Sequence, residues 1–203
     1  MTKRPPQRGV QASRSTKLPS ARAARARSSD ESVTQTARRP EDSWVEMTEM
    51  VLPQHTNSHG TVFGGVVMSW VDIAAATCSL RHCRKPVVTA SIDALHFLAP
   101  IKQGHIVSIK ASINFVGRSS CEVGVKVVSE NPITGVRSHT ASAYLTFVAL
   151  DDNGRPAEMP PLEPVTKEEK RRYEAAQIRR KSRLDLKETL FTKERLKERH
   201  RGG

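Results

Sequence analysis

Asp72 stands in a stretch, Val66 to Leu80, that is otherwise built almost wholly of apolar and small side chains. If that stretch is a helix, Asp72 lies about two turns beyond Gly65, and the two project on the same side. An acid on an apolar helix is costly to bury unless it is paired or serves as a base. The structural alternative is a carboxylate bonded to a backbone N–H or a neighbouring arginine. The helix would start at Phe63-Gly64-Gly65, which offers no Ser, Thr, Asp or Asn to cap it. The first N–H groups of a helix lack partners, and its dipole favours negative charge there. Glycines let a ligand oxygen approach the backbone closely, so Gly64 and Gly65 are candidates for stabilising an oxyanion. A tight turn that needs glycine for packing alone is the competing reading.

Upstream runs Gln54-His55-Thr56-Asn57-Ser58-His59-Gly60. Asn57 can hold a water or a carbonyl without titrating. His55 and His59 are four apart, but they sit in a Pro- and Gly-bounded loop with no third ligand in view, so no metal site is expected. Gly117-Arg118-Ser119-Ser120-Cys121 half-matches a nucleophile elbow. It lacks the last glycine and joins two strands rather than a strand and a helix, which argues against a serine triad.

Four stretches alternate with the period of half-buried strands: Val88 to Leu98, Val107 to Phe115, Cys121 to Val127, and Ala141 to Ala149. A shorter strand is expected from Trp44 to Leu52. Short turns between consecutive strands predict an antiparallel meander. The window Thr61 to Leu80 is long enough to raise a membrane span, but Asp72 near its middle and the strands that follow argue against one. The remaining solution is an α+β domain, a curved antiparallel sheet wrapped around one central helix, whose all-round apolar surface must be buried on every side.

The formal net charge of +12 suggests a nucleic-acid or acidic-surface partner, but its distribution argues otherwise. Residues 1–42 carry a net +6, residues 43–151 a net +1 and residues 152–203 a net +5. The near-neutral middle also holds seven of the nine aromatic residues, so the domain spans 43–151. Residues 1–42 read as a disordered basic N-terminal tail. Its beginning, rich in Arg and Ser and free of acid up to Ser29, also has the composition of a mitochondrial transit peptide. Residues 152–203 read as a Pro-rich connector, Pro156 to Pro164, and a charged helical tail. A Thr166/Glu169 capping box opens that helix, Glu168 and Arg172 form an i,i+4 pair, and Tyr173 and Ile178 are expected to dock it. With no secretory signal, a cytoplasmic location is expected, or the mitochondrial matrix if the Arg-rich start is a transit peptide. Cys78, Cys83 and Cys121 read as buried, inert thiols rather than a disulfide or zinc framework.

The run Asn57-Ser58-His59-Gly60-Thr61-Val62-Phe63-Gly64-Gly65, followed by Met68, Trp70 and Asp72, resembles the signature of the hotdog-fold acyl-CoA thioesterases, in their acyl-CoA hydrolase branch. Leu95 to Ile101, Phe115 to Ser120 and Thr140 to Tyr144 resemble that branch too. The resemblance implies the hotdog fold and a homodimer whose sheets join edge to edge, assembled to a hexamer, with active sites at the dimer interface. It implies that Asp72 is the acidic catalytic residue and that Asn57 works with it from the facing subunit. Gly64 and Gly65 would polarise the thioester carbonyl. Arg118, Ser119 and Ser120 would hold the CoA nucleotide or phosphates, with His59 and Phe63 also contacting substrate. CoA is then part of the substrate and product, and no cofactor is implied. An acyl-thioester dehydratase, with His59 as the candidate for a catalytic His paired to an acid, is a rival on the same scaffold. The rival from another class is a non-catalytic acyl-CoA or nucleic-acid-binding hotdog protein that uses its basic tails. Nucleic acid is not the expected partner: outside the middle only Tyr173 and Phe191 offer rings for base stacking.

Overall fold

The apolar stretch after Gly64-Gly65 forms a single helix, α1 (Gly64–Cys83), in a computed structural model that describes residues 36–201. Most of the expected N-terminal tail, residues 1–35, lies outside the described residues. Five strands follow the alternation of the sequence: β1 (Val45–Met50), β2 (Val87–Phe97), β3 (Ile106–Val116), β4 (Ser120–Glu130) and β5 (Arg137–Ala149). They form one antiparallel sheet in the order β1-β3-β4-β5-β2. Inward positions Val107, Ile109, Val123, Val127, Leu145 and Phe147 pack on Val67, Val71, Ala74, Ala75 and Cys78 of α1, all buried. This is the hotdog architecture.

The expectation of a meander through all four long strands is corrected at β2. Only β3, β4 and β5 run consecutively, and β2 lies at the far edge, with Val87 opposite Ala149 and Phe97 opposite Ala141. The cause is the connection after β2. It passes the start of α1, where Val62 N–H donates to Ile101 (2.8 Å) and Gly104 N–H to Val51 (2.9 Å), and so delivers β3 beside β1. No helix of the described residues is long and apolar enough to cross a membrane.

Two further corrections concern surfaces. α1 is not covered on every side within one subunit: Met68 (42 %), Ile73 (51 %) and Leu80 (44 %) are exposed, as are Val88, Ile92 and Phe97 of the edge strand β2. The charge-based boundary at residue 42 also cuts through ordered chain. Arg38 donates from one guanidinium nitrogen to the carbonyls of Arg81 (3.0 Å) and His82 (2.8 Å), satisfying the end of α1. Its backbone bonds to Pro161 and Glu163 (2.8 and 2.9 Å), and Pro40 is buried. A basic side chain suits a helix C-terminus, so the same charge that reads as solvated tail in the sequence is a cap in the fold.

The C-terminal helix, α2 (Lys167–Arg201), lies over the outer face of the sheet. The Thr166/Glu169 capping box forms, with bonds of 2.8 and 3.2 Å, and the backbone N–H of Thr166 holds the Glu169 carboxyl below its ordinary range. Tyr173 docks on Phe115 with ring centroids 5.2 Å apart. Ile178 does not dock: it is 69 % exposed, because the docking face runs through Tyr173, buried Ala176, Arg179 and Arg183. Arg179 pairs with buried Glu122 (2.6 Å) and stacks on Tyr144, while Arg183 pairs with Asp93 of β2. Helix and sheet are joined by charge where the sequence suggested an apolar residue.

Candidate active site

α1 begins with two unused donors. Phe63 is the N-cap residue and supplies no side-chain bond; its carbonyl accepts from Val66 and Val67. The N–H groups of Gly64 and Gly65 have no acceptor among the described residues. A Cβ on Gly65 would lie 2.5 Å from the Phe63 ring, so glycine lets that ring fold back over the first turn. At Gly64 a Cβ would lie 3.4 Å from the Phe97 ring. The two open amides therefore sit between two aromatic rings that are themselves more than half exposed. Beside them opens a pocket of about 360 Å³, lined by apolar Val62, Val67, Phe97, Leu98 and Ile101.

Asp72 lies two turns along α1, half-buried, and accepts a hydrogen bond of 2.9 Å from the Thr89 hydroxyl on β2. Thr89 was not singled out by sequence reasoning. Its signal was a hydroxyl at the start of a strand that must face the helix. β2 has two irregularities, between Thr89 and Ser91 and between Ile92 and Ala94. Bulges re-aim side chains, and here the first sits beside the residue that reaches Asp72. Among the described residues Asp72 is thus neither paired with arginine nor bonded to backbone, and its Oδ1 alone is engaged.

Asn57 organises its own loop. Its side-chain oxygen accepts from His59 N–H (2.9 Å), Thr61 N–H (3.4 Å) and the Thr61 hydroxyl (3.2 Å). Those bonds leave the amide nitrogen without a partner among the described residues. His59 is exposed and takes part through its backbone. His55 meets the edge of Trp70 at 5.2 Å, and its Nδ1 accepts from Leu52 N–H. Among the described residues nothing bonds Asn57 to Asp72.

Arg118, Ser119 and Ser120 form the β3–β4 turn at the other end of the molecule. Ser119 O accepts from Ala149, Arg118 O accepts from Met159, and the exposed Arg118 guanidinium pairs with Glu158 at 3.1 Å. Cys121, next in sequence, meets Ser79 near the C-terminal end of α1 (3.4 Å). That end is about 22 Å along the axis from Gly64. One subunit places Gly65 and Asp72 on the same side of α1, about 10 Å apart along its axis, with Thr89 at Asp72 and Phe63 folded over Gly65, and holds Arg118 to Ser120 apart from them.

All three cysteines are free and buried. Burial pushes the Cys78 and Cys121 thiols up to about 12, away from nucleophilic reactivity.

A helix wrapped by an antiparallel sheet, with open amides at its start and an acid two turns on, defines a hotdog domain. The sequence pattern of the thioesterase superfamily matches residues 59–136. A Bacillus subtilis protein described as an uncharacterized acyl-CoA thioester hydrolase is 47 % identical over 128 residues, covering 63 % of this chain and 74 % of that one. Among solved structures, an apo hexameric acyl-CoA thioesterase matches with TM-score 0.73 at 40 % identity, covering 74 % of this chain and 97 % of the other. An acyl-CoA hydrolase of Staphylococcus aureus, solved with butyryl-CoA, CoA and CoA disulfide, matches with TM-score 0.70 at 38 % identity, covering 77 % and 98 %. The chain belongs to the thioesterase superfamily, in its acyl-CoA hydrolase branch. The Staphylococcus aureus enzyme has also been solved with an Asn, an Asp and a Thr each replaced by Ala; its Asp follows the Asn by 15 residues and the Thr follows the Asp by 17.

Proposed function

We propose that this protein hydrolyses acyl-CoA to a carboxylic acid and CoA at a site built on Gly64, Gly65, Asp72 and Thr89. The observation that carries the proposal is the pair of unsatisfied N–H groups at the start of α1, on the same side of the helix as Asp72. A thioester carbonyl seated there develops negative charge on oxygen as it is attacked. Fixed amides stabilise that charge without reorganising, and one such donor is typically worth ~10²–10³ in rate. Thr89 holds Oδ1 of Asp72 and leaves Oδ2 to take a proton from water as the water oxygen bonds to carbon. The tetrahedral intermediate then collapses, the C–S bond breaks, and the CoA thiolate takes up the proton. Direct attack by Asp72 to give an anhydride is the other route; one turnover in H₂¹⁸O distinguishes them, because the water route always places the label in the product acid, whereas an anhydride opened by water at the Asp72 carbonyl leaves it in the Asp72 carboxylate. Either route uses protein groups and water alone, with CoA entering and leaving as substrate and product.

The spacing of Asn57, Asp72 and Thr89 supports the assignment: Asp72 follows Asn57 by 15 residues and Thr89 follows Asp72 by 17, the intervals of the three residues replaced in the Staphylococcus aureus enzyme. The free edge of β2 and the exposed apolar residues of α1 support assembly as a homodimer through these surfaces, and three dimers as a hexamer. Pairing two β2 edges antiparallel sets the Phe97 end of one strand beside the Val87 end of the other. The partner subunit's Arg118 turn would then approach the open start of α1, where an arginine can bind phosphate. The same twofold is the route by which the partner subunit's Asn57 would meet Asp72.

The test is a thiol-release assay across short, medium and long acyl-CoA substrates with intact protein and Asp72→Ala. Turnover in the parent and its collapse in the variant are expected, chiefly in kcat, as for an interaction made in the transition state. An Asp72→Ala protein that retains the parental rate would overturn the assignment.

A further inference from the structure

α2 crosses the sheet strand by strand. Tyr173 rests on Phe115 of β3, Arg179 pairs with Glu122 of β4 and lies over Tyr144 of β5, and Arg183 pairs with Asp93 of β2. β2 is the edge of the sheet, so Arg183 marks the point where the helix reaches the end of its own subunit's sheet. The helix does not end there. It continues to Arg201, eighteen residues and about 27 Å past that edge.

Beyond the edge the docking side of the helix turns apolar. Leu186 and Leu190 follow Arg179 and Arg183 by seven residues, two turns, and point the same way. Leu184 and Phe191 flank them, and all four are 46–60 % exposed. Asp185, Glu188, Thr189 and Thr192 gather on the opposite side. The projecting segment is therefore amphipathic, with its apolar side aimed where a sheet would lie and none of the described strands beneath it. A helix that seeks membranes carries Lys and Arg on its polar side. Here that side carries two acids, which favours a protein surface.

The homodimer proposed above supplies that surface, because pairing two β2 edges continues the sheet past Arg183. Glu168, Ala175 and Arg179 share a cleft with Ser142, which lies opposite His96, so this flank of α2 faces the Phe97 end of β2. Leu186, two turns beyond Arg179, prolongs the same flank. Antiparallel pairing brings the Val87 end of the partner strand to that side. Within β2, Val87 packs on the core and Thr89 turns to Asp72, so Val88 between them points outward, and it is 46 % exposed. We propose that the projecting end of α2 is a second dimer contact, laid over the outer face of the partner's β2 with Leu186 and Leu190 against the partner subunit's Val88. The contact rests on the homodimer reading and adds to it a helix that reaches across the seam.

The test oxidises full-length protein carrying Val88→Cys with Leu186→Cys, or Val88→Cys with Leu190→Cys, and reads covalent dimer on a denaturing gel. The three native thiols are buried and do not compete. At least one apolar-side pair should cross-link, with tenfold or more the yield of Val88→Cys with Asp185→Cys. In a second measurement, sedimentation of the Leu186→Glu, Leu190→Glu double variant should show dimers dissociating at a concentration at least tenfold above the parent's. No covalent dimer, equal yields from the two sides of the helix, or unchanged dissociation would each overturn the proposal. So would flotation of the parent with phosphatidylglycerol vesicles that the double variant loses, which assigns the face to a membrane. A parent that sediments as a monomer overturns the homodimer reading itself, whereas a dimeric parent without the cross-link overturns only the contact made by α2. Neither readout depends on thioester hydrolysis, so failure of the contact leaves the proposed activity standing.

Discussion

Replacing Thr89 with valine removes one hydroxyl and keeps the β-branched shape, so the edge strand retains its packing while Asp72 loses the side-chain partner it has among the described residues. The bond is 2.9 Å long and its acceptor is a carboxylate, which puts it in the charge-assisted class, worth ~1.5–3 kcal/mol when well shielded. Asp72 is half-buried and the pair is open to solvent on one side, so the lower end applies: about 1.5 kcal/mol, or roughly tenfold in rate. The loss should appear in kcat with little change in KM, because Thr89 orients the base and need not touch the acyl chain. Asp72→Asn should cost far more, on the order of 10²–10⁴, the usual worth of a general base. The assay is a double-mutant cycle by thiol release. If Thr89 acts through Asp72, Thr89→Val should have almost no further effect once Asp72 is alanine. A tenfold loss in both backgrounds would refute the reasoning, and so would a Thr89→Val protein with parental kcat.

Four other outcomes follow from named contacts. Arg38→Met removes both side-chain bonds that cap α1 and should cost about 1 kcal/mol, lowering Tm by ~2–4 °C in a thermal melt. Burial holds the His82 imidazole below its ordinary value of 6.5, and the ring's Nδ1 has no partner while Nε2 donates to Pro160. The unfolded chain therefore takes up that proton first, and stability should fall as pH drops from about 6.5 towards the folded value. Urea titrations between pH 5 and 7.5 should show this slope, flattened in His82→Gln. Gly124→Ala would bring a Cβ to 2.5 Å from the Asn114 amide, which is buried and committed to Glu122, and should destabilise by ~1–3 kcal/mol in denaturant titration. Native protein should resist an aromatic disulfide reagent at all three cysteines and react fully on unfolding.

The helix, the strands and the acid were legible because each depends on local pattern. Alternation marked β2 and β3 to within a residue at each end but stopped three residues short of the end of β4 and began four residues into β5, and the absence of a capping side chain at Phe63 announced the open amides. Neighbourhood was harder. That β2 pairs with β5 and not β3 depends on a connection pinned to the loop before α1, through bonds such as Val62 to Ile101 that no periodicity encodes. Thr89 escaped notice because its role is set by a strand irregularity, a matter of register rather than composition. Ile178 misled because apolar character alone was used to orient α2, whereas buried Glu122 and Asp93 draw Arg179 and Arg183 to the sheet. Arg118 lies apart from Gly64 within one subunit, and only the dimer proposed above would bring the two together.

The backbone clip between Arg38 and the segment Pro161 to Glu163 gives the domain a property of a different kind. Its entry and exit segments meet side by side, an isolated parallel bridge joining Arg38 and Leu162. Everything from β1 to the end of β5 is therefore a closed loop of chain with adjoining ends. Such a cassette can be spliced into a surface loop of another protein, or repeated in tandem, without stretching its host. What it does not tolerate is a cut at the point where the charge changes, because a chain begun at Ser43 leaves one side of the clasp behind.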